Sequence, residues 1–149
     1  HDEATPEHVA ESVEDGVRIA EFPTTVVAAR TSHEAGLAVL MGAPNVVRGG
    51  SHSGNVSAIA LAEAGVLDVL SSDYIPFALL QAAFLLPQQV ASVSLPQAIA
   101  MVTATPARAV GLTDRGEIAT GRRADLVRVR LIDGTPVVKG VWRQGERVG

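Results

Sequence analysis

The sequence has 149 residues, of which 47% are hydrophobic and only 3% aromatic, with no cysteine and a formal net charge of −4. A chain of this size buries about 68–70% of its unfolded surface, which argues against disorder, and without cysteine there are no disulfide scaffolds, thiolate metal sites or cysteine nucleophiles. The twelve basic residues are mostly scattered singly, so the basic footprint of a nucleic-acid binder is missing, and the core is expected to be built from Ala, Val, Leu and Ile. The longest apolar stretch, residues 75–87, is broken by Gln81 and falls short of the roughly 20 residues that cross a bilayer, so neither a membrane nor a nucleic-acid partner is expected. The chain opens His1-Asp2-Glu3, without Met or a basic-then-apolar leader, and is expected to be cytoplasmic and part of a longer polypeptide.

In chain order, Thr5-Pro6-Glu7 supplies an N-cap, an N1 proline and a first-turn acid, which predicts a short helix up to Asp15-Gly16. Residues 17–22 predict a brief strand ending at Pro23-Thr24-Thr25, whose threonine can cap a helix over 26–34 that Gly36 closes. Residues 37–42 are apolar throughout, as suits a parallel strand covered on both faces. A long glycine-rich loop is expected over 43–54, then a helix over 55–64 closed by Gly65, then a third strand over 67–70 running into Ser71-Ser72-Asp73-Tyr74. After Asp73 the pattern predicts helices only, at 77–86, 95–103 and 106–110. Strands return at 116–119, 125–130, 136–142 and 146–148, with Asp133-Gly134 as a hairpin turn. The chain thus reads as α/β in two parts: residues 1–110 as β/α units of a parallel sheet, and residues 111–149 as a small antiparallel β-module.

In a parallel α/β sheet the reacting groups lie at the carboxyl ends of the strands. That rule selects His1 with Asp2, Glu21, the loop over 42–55, and Asp73. Histidine and carboxylates at several strand ends form a donor set for a divalent metal, zinc or manganese, with metal-bound water as nucleophile. Each carboxylate taken alone reads more readily as a helix cap or a solvated turn, and the coincidence of three such positions is what points to a metal. In the loop, Gly42, Gly49, Gly50 and Gly54 let backbone approach a ligand, while Ser51, Ser53 and Asn55 can cap the next helix and leave amides free for an anion. Arg48 adds a bidentate phosphate donor, and His52 could donate to a phosphate oxygen or act as general acid. No Gly-Lys-Ser/Thr follows, so this is not a nucleotide P-loop, and on composition alone an ordinary flexible loop competes with the phosphate reading. His8 and His33 read as structural, Met41, Met101 and Trp142 as packing, and Arg122-Arg123 as a solvated surface pair.

Two segments carry a resemblance to a known family. Thr105-Pro106-Ala107-Arg108-Ala109-Val110-Gly111-Leu112 is the first; Asp114-Arg115-Gly116-Glu117-Ile118 with Gly121-Arg122-Arg123-Ala124-Asp125-Leu126-Val127 is the second. They resemble the closing segment of the amidohydrolase superfamily, metal hydrolases built on a (β/α)8 barrel with a small β-module. The resemblance implies the C-terminal portion of such a barrel, from about strand 5 to strand 8 and the helices that follow, and then an antiparallel β-module segment.

Glu21-Phe22-Pro23-Thr24-Thr25, the 42–55 loop and Ser72-Asp73-Tyr74 are similar to the branch of that superfamily that works in phosphonate breakdown. Members of that branch release pyrophosphate from a ribose methylphosphonate 5-triphosphate, so a phosphorylated small-molecule substrate is implied. By position the resemblance makes His1 a strand-5 metal ligand and Asp73 the strand-8 aspartate that binds metal and moves a proton. It places Arg48, Gly49, Gly50, Ser51 and Asn55 around the phosphates, with His52 as a further catalytic group. Glu21 departs from the pattern, since strand 6 usually carries histidine; it either replaces imidazole on the metal or binds substrate. The superfamily's strand-1 His-x-His pair and strand-4 bridging ligand would lie upstream, so the chain alone is expected to be inactive. Two alternatives stay open: another amidohydrolase, such as a deacetylase or deaminase, and a non-catalytic half-barrel that captures a phosphorylated ligand. Assembly into a homo-oligomer is compatible with each.

Overall fold

Pro6 and Thr25 mark helix starts where the sequence places them. The computed structural model, which describes residues 1–51 and 54–149, opens with α1 (Pro6–Glu14), β1 (Ile19–Glu21) and α2 (Val26–Glu34). At the start of α2 the Thr25 hydroxyl accepts the Ala28 N–H at 3.1 Å. Next come β2 (Ala38–Gly42), α3 (Ala43–Arg48), α4 (Ala58–Glu63) and β3 (Val69–Ser71). The three strands pair in parallel in the order β1-β2-β3, with Glu21 opposite Leu40 and Gly42 opposite Ser71. Residues 1–3 run alongside the end of β1: the Asp2 N–H donates to the Glu21 carbonyl and the Thr24 N–H to that of Glu3, both at 2.9 Å. His1, Glu21 and Gly42 therefore come to the same end of the sheet, because parallel strands all finish on one side.

Helices α5 (Ala78–Gln89), α6 (Leu95–Ala100) and α7 (Ala104–Ala109) follow. Val39, Leu61 and Leu86 are fully buried at the centre of the parallel half, among alanines such as Ala29, Ala58 and Ala82. Each such aliphatic side chain contributes about 1.5–3 kcal/mol through burial. The remaining strands, β4 (Leu126–Ile132), β5 (Thr135–Arg143) and β6 (Glu146–Arg147), form an antiparallel sheet. Asp133 and Gly134, at φ 49° and 79°, make the expected tight turn. Trp142 packs over the bare Cα of Gly140, flanked by the guanidinium groups of Arg128 and Arg147 at 5.9 and 6.0 Å. Among the described residues no helix is long and apolar enough to cross a membrane.

Four local expectations are corrected. The loop expected over 43–54 begins as α3, since Pro44 fits a first helical turn and Gly49 at φ 82° ends it; its glycine marks a helix terminus rather than a flexible tract. Residues 116–119 form no strand: Gly116, at φ 97°, lies so close to the start of α7 that a Cβ there would come within 2.8 Å of the Ala104 backbone. Helix α5 runs on through Pro87 to Gln89: the proline supplies no N–H to the turn before it, but the hydrogen bond that closes the helix, from the Val90 N–H to the Leu86 carbonyl at 2.9 Å, is intact. The pair Arg122-Arg123 is ion-paired, Arg122 with Glu117 at 3.0 Å and Arg123 with Asp125 at 2.9 Å. Beside them, Arg115 donates to Asp114 and holds that carboxyl below its ordinary range.

Candidate functional site

The carboxyl end of the parallel sheet opens into a cleft of about 270 Å³, walled by His1, Asp2, Gly42, Arg48, Asp73 and Tyr74 among others. Its position follows from topology: β1 delivers Glu21 and Phe22, β2 delivers Gly42 and then α3, and β3 delivers Asp73. The backbone there is unusual. Asp2, Phe22 and Asp73 adopt left-handed conformations at φ 61°, 57° and 50°, and all three line the cleft. Such a conformation costs an L-residue roughly 1–3 kcal/mol and persists where its surroundings over-determine it. The other non-glycine residues described with positive φ, Asp133 and Gln144, each precede a glycine at a hairpin turn.

His1 is held on several sides. Its Nδ1 lies 2.8 Å from the Asp2 carboxylate, its Nε2 lies 3.9 Å from Glu21 Oε2, and its ring meets Phe22 edge-on at 5.6 Å. Asp73 is exposed, and its carboxylate makes no hydrogen bond or ion pair among the described residues, as also holds for the Arg48 guanidinium. An arginine and a carboxylate that both face one cleft without partners are available to a ligand.

The loop serves differently from the expectation. Gly50, Ser51 and Asn55 line the cleft, but the Gly49 and Gly50 amides donate to the Val46 and Asn45 carbonyls at 3.2 and 3.0 Å. These amides close α3 and are not free for an anion; Gly49 is absent from the described lining and acts as the helix terminator. Ser51 and Asn55 do not cap the next helix either. Ser57 does, accepting the Ala60 N–H at 3.1 Å, while Asn45 Oδ1 accepts that of Ala58 at 2.9 Å. Asn45 thus ties α3 to α4 and lines the cleft, as does Phe22; neither carried a sequence signal beyond sitting near a strand end. His52 and Ser53 lie outside the described residues.

The proposed metal donors His1, Glu21 and Asp73 are only partly brought together. Two donors of one ion, each about 2.0–2.2 Å away, stand some 3–4 Å apart, and His1 Nε2 and Glu21 Oε2 meet that spacing. Among the described residues no group of three His, Cys, Asp or Glu side chains could hold an ion, and Asp73 joins no such group. The residues present do not amount to a metal centre.

Comparison with known proteins fits this geometry. Residues 12–148 match the model described as the amidohydrolase family. The chain is 56% identical, over 99% of its length, to the alpha-D-ribose 1-methylphosphonate 5-triphosphate diphosphatase of Escherichia coli (strain K12), of which it spans 39%. Among solved structures it resembles an uncharacterized protein at 23% identity and TM-score 0.68, covering 97% of this chain and 44% of that one. It also resembles an amidohydrolase at 19% identity and TM-score 0.63, covering 97% and 43%. The family match takes in all six strands, both sheets and the strand-end cleft except its first residues, and so this chain belongs to the amidohydrolase family.

Proposed function

We propose that this chain is the C-terminal portion of a diphosphatase, spanning the last strands of a (β/α)8 barrel over residues 1–110 and a β-module segment over 111–149. Its substrate would be alpha-D-ribose 1-methylphosphonate 5-triphosphate, cleaved to the 5-phosphate and pyrophosphate in phosphonate catabolism in the cytoplasm. The observation that carries this reading is the pairing of an unpartnered arginine with an unpartnered carboxylate on one strand-end cleft. The identity to the diphosphatase supports the substrate class. Arg48 donates two charge-assisted hydrogen bonds to phosphoryl oxygens and offsets charge as it builds on them. Ser51 and Asn55, which line the same cleft, would contact the same group. Asp73 accepts the proton of the attacking water. His1, oriented by Asp2, stands with Glu21 as the pair through which this chain would contribute to binding a divalent ion, zinc or manganese, with further donors supplied from outside the pair.

The test is pyrophosphate release by the full-length protein. Asp73→Asn should lower turnover by about a thousandfold or more, as expected for a member of a catalytic unit, with an unchanged melting temperature. Retention of more than about a tenth of wild-type turnover would overturn the role. The isolated 149-residue chain should release none above a protein-free control; steady release would show that its own residues suffice.

A further inference from the structure

Gly42 ends β2 at φ −73° and ψ 131°, a conformation open to any residue, so its backbone does not call for glycine. Space does. A Cβ placed on Gly42 would lie 2.8 Å from Asp73 Oδ2, 3.3 Å from Asp73 Cβ and 3.3 Å from Phe22 Cε1. The other glycines of the segment, Gly49, Gly50 and Gly54, have nothing within 4 Å of that position. We propose that Gly42 is a positioning residue for Asp73: the bare Cα is the seat on which the Asp73 carboxylate rests.

Three features make the seat consequential. The pairing of Gly42 with Ser71 fixes the end of β2 beside the chain that leads into Asp73. Asp73 is left-handed and its carboxylate has no hydrogen-bond partner among the described residues, so steric contact sets where its oxygens lie. A carboxylate held by packing keeps its lone pairs free to take a proton, which one held by hydrogen bonds does not. Phe22, edge-on to His1, closes the other side of the seat. Of the atoms around an added methyl, Asp73 Oδ2 at 2.8 Å is the nearest and the only one inside 3.0 Å, so the carboxylate is the group that must move. This inference rests on Asp73 being the proton acceptor.

The experiment is steady-state pyrophosphate release by the full-length protein carrying Gly42→Ala, with Gly65→Ala, at the end of α4 and outside the cleft lining, as the control and Asp73→Asn alongside. Gly42→Ala should lower kcat by about ten- to a hundredfold, the cost of misplacing a reacting group by about an ångström, with KM within about twofold. Gly65→Ala, which strains the backbone at φ 71° without touching the cleft, should change neither. Wild-type kcat in Gly42→Ala, with Asp73→Asn inactive, would overturn the seat and leave the role of Asp73 standing. Full activity in Asp73→Asn would instead overturn that role. Melting temperatures cover the case of a poorly folding variant: Gly42→Ala should destabilise the wild type more than the Asp73→Ala background, where the 2.8 Å contact is gone. Equal destabilisation in both backgrounds would place the strain elsewhere and sink the proposal.

Discussion

Asp68 and Asp73 flank the same short strand, β3, and their surroundings are opposite. At the amino end, Asp68 accepts the Val39 N–H at 2.9 Å and lies 2.9 Å from His33 Nδ1, while its own N–H donates to the Val39 carbonyl at 3.0 Å. At the carboxyl end, Asp73 sits in a strained left-handed conformation with no hydrogen bond among the described residues. The amino end is stitched, and the carboxyl end is open and strained. One residue type at the two ends of one strand is thus tied into the fold at one end and left open to a ligand at the other. The difference lies in whether neighbouring polar groups satisfy the carboxylate before a ligand arrives.

Substitutions on either side of β3 should separate the two ends. The largest effect is that of Asp73→Asn, which lowers turnover by orders of magnitude while the melting temperature holds, since the carboxylate has no hydrogen bond among the described residues to lose and asparagine tolerates the same left-handed backbone. Arg48→Ala comes next, lowering kcat/KM for the triphosphate by about 1.5–3 kcal/mol, the range for hydrogen bonds to a charged group. Arg48→Lys should recover only part, because an ammonium lacks the planar fork. Metal content by elemental analysis should be equal in the wild type and both variants; its loss with activity would assign the loop to shaping the His1 and Glu21 side instead.

Asp68→Ala should do the reverse of Asp73→Asn. It leaves the Val39 N–H without its acceptor and removes the partner of His33, which costs about 1–3 kcal/mol in a denaturant titration. kcat should be unchanged. A loss of kcat without a loss of stability would show that the two ends are coupled through β3. The smallest effect tests whether strain at the cleft differs from strain at a turn. Gln144 is left-handed at φ 53° beside Gly145, in a tight turn far from any proposed chemistry. Gln144→Gly should stabilise by about 0.5–1 kcal/mol, the left-handed penalty less the entropy that glycine adds to the unfolded chain, without changing turnover.

The expected phosphate cradle shows where sequence reasoning fell short. Gly49 and Gly50 read as backbone open to an anion, and they are instead the closing hydrogen bonds of α3. Glycine after a short apolar run has two uses, and which one applies depends on whether the preceding carbonyls need capping. Asn45 and Phe22 were illegible for another reason: their roles are contacts, with α4 and with His1, to residues remote in the chain.

The sequence by itself determined that β1, β2 and β3 are short parallel strands, since their near-continuous apolar runs suit strands buried on both faces. It determined the helix starts at Pro6 and Thr25, the Asp133-Gly134 turn, and the placement of Glu21 and Asp73 at the carboxyl ends of β1 and β3, because caps, turns and burial are local demands written in local residues. Tertiary structure alone decided that Glu21 faces His1 while Asp73 joins no donor group among the described residues, that three cleft residues are left-handed, and that a Cβ on Gly42 would meet the Asp73 carboxylate. These are distances between atoms on different strands. They are set by sheet register and packing, which no pattern along a single strand encodes.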